Sequence, residues 1–190
     1  KNGKIDLFKK HKIEKINFNF EIRKAISNFT DIKFVYKDLD LVLEKLTTQS
    51  IDDEINIIGK FNNKNLIIKK SFFEEFVNTD NLKIQTIDIN SKNTFSFKVD
   101  KKFKIKNLNI KSKIKLNKAD ILNNFDLKSF FPKIKDKISF LNHDIEIDYD
   151  KDKFKIKGKG NVLLQNNNDQ IEYTISKQNK KINFRTFLVI

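Results

Sequence analysis

The sequence predicts a mainly β fold: an antiparallel, up-and-down meander with one apolar face, curled into an open groove, or alternatively a β-sandwich. Apolar residues recur at every second position along most of the 190 residues, which is the period of β-strands. The positions between them are mostly Lys, Asn, Asp and Ser, a pattern typical of an antiparallel sheet with one wet face. With only 4 Gly, 1 Pro and no Cys, the chain has little material for phosphate-binding loops and none for disulfides.

Apolar and polar residues alternate through most of residues 1–117, and we expect this region to form the N-terminal strands. The stretch 39–46 fits both a helix and a strand, and we favour the strand. Polar residues between the apolar runs predict short turns or loops that join consecutive strands. These turns are expected at residues 63–64, 91–93 and 100–102.

One irregularity in this region predicts a β-bulge. Apolar positions have odd numbers from Phe95 to Ile105 and even numbers from Leu108 to Leu116. An uninterrupted strand would turn the second set to the wrong face of the sheet. We therefore expect a bulge near residues 106–107.

Residues 118–142 depart from the strand pattern. The spacing of Phe131, Ile134, Ile138 and Leu141 is close to that of a helix. Pro132 would fit the first helical turn, where its missing N–H leaves no bond unmade. This region is expected to form one or two short helices that interrupt the sheet.

Residues 143–190 are expected to form a four-stranded meander. Two-residue turns at 151–152, 167–168 and 178–179 keep the apolar positions on one continuous face. These turns predict three pairs of facing residues: Tyr149 with Phe154, Val162 with Tyr173, and Ile175 with Ile182. Residues 1–190 are thus interpreted as a single β-rich segment of a longer, repetitive protein.

The chain is strongly basic, since 39 Lys and Arg against 25 Asp and Glu give a formal charge of +14. Lys, Asn, Ile and Phe all have A/T-rich codons, so part of this charge reflects base composition. The lysines are spread along outward strand positions, where they oppose aggregation. Arginine is nearly absent and no RNA-recognition motif occurs, so no specific nucleic-acid partner is expected.

The candidate catalytic and metal-binding residues lack the partners that such sites require. His11 and His143 are the only histidines, and a solvated or capping role is expected for His143. The acidic positions 148, 150 and 152 imitate the start of a calcium loop, but Lys153 and Lys159 occupy its required glycine and glutamate positions. Gly158 and Gly160 lie within a predicted strand, where glycine permits a bend or a close approach. We expect no enzyme activity, no cofactor, and no catalytic or metal site.

The remaining feature is the apolar face itself. It can be buried by a second sheet in a sandwich, fill a closed barrel, or line an open groove that needs an apolar ligand. The period of the sequence does not separate these cases. For a groove, the candidate lipid-facing residues are Phe18, Phe20, Phe95, Phe97, Ile147, Tyr149, Phe154, Ile156, Val162, Leu164, Ile171, Tyr173, Ile175 and Phe184.

Three runs of sequence add a resemblance to a known family. They are "DEINIIGKFNNKNLIIKKSFF" at 53–73, "FFPKIKDKISFLNHDIEIDYDKDKFKIKGKGNVLLQ" at 130–165, and "DQIEYTISKQNKKINFRTFLVI" at 169–190. They resemble segments of the large AsmA-like bacterial envelope proteins, the group that includes TamB and YhdP relatives. The resemblance implies a periplasmic β-sheet rolled into a groove for phospholipid acyl chains. It also implies contact with the inner and outer membranes through regions outside this segment, including an inner-membrane anchor.

The sequence therefore leads to one functional expectation and one alternative. The expected function is that of a non-enzymatic, hydrophobic-groove segment of a periplasmic envelope protein. Such a segment would take part in phospholipid transport between membranes and in outer-membrane biogenesis. The alternative is a structural or adhesion-type β-sandwich module of a surface protein.

Overall fold

The computed structural model describes residues 3–7, 11–73, 82–123, 128–129, 131–151, 153–178 and 181–189. They form one antiparallel sheet of eleven strands, which lie side by side in the order of the chain. A single turn of helix, α1 (Lys70–Phe73), follows the fifth strand. The strands are β1 (Gly3–Leu7), β2 (His11–Arg23), β3 (Ile26–Tyr36), β4 (Leu39–Ile51), β5 (Glu54–Lys69), β6 (Leu82–Asp100), β7 (Ile105–Asn123), β8 (Lys137–Asp150), β9 (Lys153–Leu163), β10 (Asp169–Gln178) and β11 (Lys181–Val189).

The sheet is a single, open layer. Each strand pairs only with its neighbours in the chain, so β1 and β11 form the two edges. Among the described residues, α1 is the only other element that packs on the sheet, and it contacts β5 and β6. The accessible surface is 13972 Å², whereas a compact chain of this mass exposes roughly 9,500 Å². The described part of the chain thus has the predicted antiparallel meander and lacks the second layer of a sandwich.

β-Bulges keep the apolar residues of the long strands on one face. Among the described residues, five bulges contain a residue with positive φ where the pairing register shifts: Lys15, Asp31, Asn65, Asn107 and Asn142. The register also shifts without positive φ once between β4 and β5 and twice between β6 and β7. A bulge adds one residue to its strand, so the side chains beyond it change face. The bulge at Asn107 confirms the prediction for residues 106–107. Bulges also bend and twist a strand, which curls a long single-layer sheet.

The predicted helices at 118–142 are wrong for the residues described there. Residues 118–123 belong to β7, residues 137–142 belong to β8, and 131–136 form turns and a bend. The physical reason is that the four apolar residues belong to different structures. Phe131 and Ile134 lie in the turn segment before β8, whereas Ile138 and Leu141 lie in β8 with side chains on opposite faces of the sheet.

Two predicted turns in the N-terminal part are also wrong. Residues 63–64 lie inside β5, and residues 91–93 lie inside β6. Asn favours turns in general, but the side chains of Asn63 and Asn93 here bond to the backbone of neighbouring strands. The favoured strand at 39–46 is confirmed as part of β4.

The four-stranded meander is confirmed as β8 to β11, although two of its three registers differ from the prediction. Tyr149 pairs with Phe154 as expected. Val162 pairs with Asp169 instead of Tyr173, and Ile175 pairs with Phe184 instead of Ile182. Both differences are an even number of residues, so every side chain keeps its predicted face.

Candidate hydrophobic groove

Direct cross-strand partners form mainly apolar rows across one side of the sheet, which we call the apolar face. The rows start at β2 or β3 and reach β11. At the usual strand spacing, a row that crosses all ten strands is roughly 43 Å long. One row consists of Phe20, Phe29, Leu46, Gly59, Phe95, Ile110, Tyr149, Phe154, Lys177 and Ile182. A parallel row consists of Ile32, Leu43, Phe61, Asn93, Ser112, Ile147, Ile156, Ile175 and Phe184.

The structure places thirteen of the fourteen predicted groove residues in strands, with their side chains on the apolar face. Leu164 is the exception, because it lies in the bend that follows β9. Val162 is buried and the other strand residues are half-buried or exposed. The thirteen residues on the apolar face are Phe18, Phe20, Phe95, Phe97, Ile147, Tyr149, Phe154, Ile156, Val162, Ile171, Tyr173, Ile175 and Phe184.

One end of the apolar face is covered, and we call it the closed end. There Phe72 of α1 packs edge-on against Tyr36, with 6.3 Å between the ring centroids. The N–H of Lys135 donates to the carbonyl of Leu164 at 2.9 Å, which holds the 131–136 segment beside the end of β9. Ile134 in that segment is buried.

The opposite end is exposed, and we call it the open mouth. Ile22, Ile105 and Ile182 lie there next to the hairpin turns, and each side chain is more than 60% exposed. The apolar face is therefore asymmetric along the strand direction. An apolar molecule has access from the mouth and meets a barrier at the closed end.

Aromatic rings lie directly over glycines of the next strand on this face. Phe95 covers Gly59, Tyr173 covers Gly158, and His143 covers Gly160. The rings occupy the space that a Cβ would need, and they fill the gap that a missing side chain leaves in a sheet. The close approach expected at Gly158 and Gly160 is confirmed.

His143 does not have the solvated or capping role expected for it. The bulge at Asn142 turns the imidazole onto the apolar face, where it is 1% exposed and lies 5.5 Å from the ring of Phe140. Its Nε2 is 2.9 Å from the carbonyl oxygen of Asn161. Burial lowers the pKa of His143, although the hydrogen bond to that carbonyl raises it in part. The imidazole is therefore neutral at neutral pH, and Nε2 donates to the carbonyl.

Polar side chains interrupt the apolar face at the centre of β5, β6 and β7. Asn63, Ser91 and Ser112 are all buried there. The Oδ1 of Asn63 accepts from the N–H of Val42 at 3.1 Å, beyond the point where the β4–β5 pairing ends. The Nδ2 of Asn93 donates to the carbonyl of Phe61 at 3.0 Å. Asn63 and Asn93 thus complete the backbone hydrogen bonding of the sheet, so we assign these two side chains a structural role.

The other side of the sheet, which we call the polar face, carries a ladder of opposite charges. Four acidic residues on β8 lie directly opposite lysines on β9, and three of them also lie opposite lysines on β7, whereas Asp150 faces Asn109 there. This arrangement of charges favours strand pairing. Because these lysines have acidic partners, they do not form a purely basic patch. The acids are Asp144, Glu146, Asp148 and Asp150, and the lysines are Lys111, Lys113 and Lys115 on β7 and Lys153, Lys155, Lys157 and Lys159 on β9.

The described residues contain neither a cluster of metal-ligating side chains nor a helix that could span a membrane. No three His, Asp or Glu side chains come together as a metal site would require. No helix there has the length and apolar character needed to cross a membrane. The comparisons with known proteins add no relative: no protein-family model, no curated protein and no solved structure matches this chain.

Proposed function

We propose that this chain is a hydrophobic-groove segment that holds phospholipid acyl chains and takes part in their non-enzymatic transport between the membranes of a bacterial envelope. The observation that carries the proposal is the apolar face, which runs from β2 to β11 and is covered among the described residues only at its closed end. Water-exposed apolar surface of this extent requires an apolar partner. The periplasmic location follows from the resemblance to AsmA-like proteins.

The chemistry of the face suits hydrocarbon better than a polypeptide. The backbone donors and acceptors of the inner strands bond to each other, so the face offers side chains alone. Those side chains are mainly Ile, Leu and Phe, which attract an extended alkyl chain by apolar burial and dispersion. The charged ladder on the polar face keeps the other side of the sheet in water.

The alternative function, a structural or adhesion-type sandwich module, needs a second sheet over the apolar face. The described residues supply one layer, so that second sheet would come from another chain or another part of the protein. A test must therefore distinguish bound lipid from a protein layer.

Ile156→Asp is the variant that tests the groove. Ile156 is half-buried in the middle of the apolar face, between Ile147 and Ile175. In an open groove the new carboxylate keeps contact with water, so the variant should fold and bind acyl chains at least about tenfold more weakly. Val162 is less suitable, because it is 1% exposed and pairs with Asp169, so a second carboxylate there would be buried and repelled.

Binding is measured by mass spectrometry of copurified phospholipid and by titration with a fluorescent fatty acid. Thr174→Asp is the matched control, since it adds the same single negative charge on the polar face, opposite Lys157 and Arg185, and its binding should be unchanged. A wild-type protein that carries no lipid and does not bind the fatty acid contradicts the proposal. Unfolding of Ile156→Asp while Thr174→Asp folds normally would favour the sandwich.

A further inference from the structure

The loop between β6 and β7 presents a bulky aromatic residue to solvent at the open mouth. Phe103 is 80% exposed and has a φ of 56°, the left-handed region that a bulky residue rarely adopts. Among the described residues, the other ten non-glycine residues with positive φ are all Lys, Asp or Asn. Phe103 is thus unusual both in its backbone conformation and in its exposure.

Asp100 holds this loop in place. The N–H of Phe103 donates to the carbonyl of Asp100 at 2.9 Å. The Asp100 carboxylate accepts from the N–H groups of Lys102 and Lys104 at 2.9 and 3.0 Å. A hairpin loop with this pattern normally has glycine at the left-handed position. Since the Phe103 side chain is almost fully exposed and glycine or asparagine would relieve the strain, folding does not explain the phenylalanine.

Lysines surround Phe103 in the sequence Lys-Lys-Phe-Lys-Ile-Lys. Lys101 pairs with Asp53, and Lys106 pairs with Glu54 and Asp100. Lys102 and Lys104 have no carboxylate within ion-pair distance in the described part of the chain. The loop therefore combines an exposed aromatic ring with two uncompensated positive charges, and Ile105 beside it is also exposed.

We propose that this hairpin docks the open mouth onto an anionic phospholipid bilayer. Phe103 inserts at the boundary between headgroups and acyl chains, where aromatic rings are favoured. Lys102 and Lys104 bind the anionic headgroups, each with an attraction that falls off within a Debye length of the surface. Docking at this site would bring the mouth of the groove to the acyl chains of the membrane.

A single tryptophan tests the insertion directly, because the chain has no Trp of its own. Phe103→Trp should shift its fluorescence to the blue on vesicles of phosphatidylcholine and phosphatidylglycerol in equal parts, and brominated acyl chains should quench it. Phe187→Trp is the matched control, since Phe187 is 66% exposed but lies on the polar face. Its emission should not change.

Two further variants separate insertion from charge attraction, with vesicle cosedimentation as the measurement. Phe103→Asn introduces a residue that adopts positive φ more readily than phenylalanine. Its melting temperature should therefore equal or exceed that of the wild type, while vesicle binding falls at least about tenfold. Lys102→Gln with Lys104→Gln should weaken binding about fivefold for each lysine. Lys111→Gln with Lys115→Gln removes the same charge from the polar face and should have a smaller effect.

Three outcomes would overturn the docking proposal. The first is vesicle binding that survives Phe103→Asn unchanged, since the attraction would then be electrostatic alone. The second is a lower melting temperature for Phe103→Asn, which would make Phe103 a structural residue. The third is equal binding to vesicles of phosphatidylcholine only. None of these measurements depends on lipid held in the groove, so docking and the proposed function can fail independently.

Discussion

His143 lies over Gly160 of the neighbouring strand so closely that a Cβ on the glycine would be 2.5 Å from the imidazole Cγ and 2.7 Å from the His143 Cα. At Gly59 the atom that a Cβ would meet first is Cζ, the far end of the Phe95 ring. At Gly160 the contact involves the backbone and the base of the His143 side chain, which cannot move away. At Gly59 the contact involves the end of the Phe95 ring, which can rotate out over the open face.

Gly160→Ala should therefore destabilise the protein by about 1–3 kcal/mol, the usual cost of forcing extra volume into a packed site. Gly59→Ala should cost less, because rotation of Phe95 relieves the overlap. Urea denaturation of both variants gives the two free energies of unfolding. Equal costs would contradict this account of the two glycines.

Stability should depend on pH through His143. Its pKa is lowered by burial from an ordinary value of 6.5, so the unfolded chain binds the proton more readily than the folded one. The contribution of neutral His143 to the free energy of unfolding is fully present above about pH 6.5. It declines as the pH falls toward the lowered pKa, by up to about 1.4 kcal/mol per pH unit. The neighbouring Tyr173 does not ionise in this range, because burial raises its pKa.

The measurement is the free energy of unfolding at several pH values, for the wild type and for His143→Leu. The variant lacks the buried titrating group and should have a flatter profile between pH 6.5 and 5. His11 and the carboxyl groups are common to both proteins, so the difference between the two curves isolates His143. Identical slopes would show that the imidazole is not buried in the folded state.

The bulge at Asn107 should tolerate glycine and resist β-branched residues. Asn107 has a φ of 53°, a conformation that glycine adopts without strain and that is costly for a β-branched residue. Asn107→Gly should change the free energy of unfolding by a few tenths of a kcal/mol, and Asn107→Val should lower it by about 1–2 kcal/mol or more. Asn109→Val, in the same strand without positive φ, is the control and should be nearly neutral.

Asp120 and Ser139 form a buried hydrogen bond between β7 and β8, with 2.6 Å between the two oxygens. Burial raises the pKa of Asp120, but the bonds from Ser139 and Lys118 outweigh it, so the net pKa lies below the usual value. Ser139→Ala should lower the free energy of unfolding by about 1–3 kcal/mol and raise this pKa. Ser112→Ala also removes a buried hydroxyl and should cost less.

The Asp120 contribution has a defined pH dependence. Because the folded-state pKa is lowered, the stabilisation is present above the unfolded value of about 3.8 and is lost as the pH falls through the folded pKa. Acid titration followed by NMR of the Asp120 carboxyl carbon measures the shift. A pKa above 3.8 in the wild type would contradict the assigned hydrogen bonds.

The alternation of apolar and polar residues was sufficient to predict the antiparallel meander and its apolar face. A change of an even number of residues in register leaves every side chain on its face, as the pairs of Val162 with Asp169 and Ile175 with Phe184 show. The prediction of which residues lie on the apolar face therefore holds even where the predicted cross-strand pairs are wrong by an even number of residues. The bulge at Asn107 was also predictable, because it changes the parity of the apolar positions.

Other features of the fold depend on contacts between residues far apart in the chain, which the alternation of neighbouring residues does not reveal. Asn63 completes the hydrogen bonding of a residue that is 21 positions earlier in the chain, so its turn-like composition was misleading. The closed end depends on Phe72 reaching Tyr36 across an intervening strand. The burial of His143 and the exposure of Phe103 also depend on bulge and loop geometry, and a residue's type does not reveal which side of a bulge it occupies.

Each strand of this sheet pairs only with the strands before and after it in the chain. Folding can proceed hairpin by hairpin with short loop closures, and stability is close to a sum of terms between adjacent strands. Loss of an edge strand removes one such term and leaves the others intact. Insertion or deletion of a whole hairpin preserves the direction of every other strand, so such a chain can lengthen or shorten its apolar rows in steps of about 10 Å.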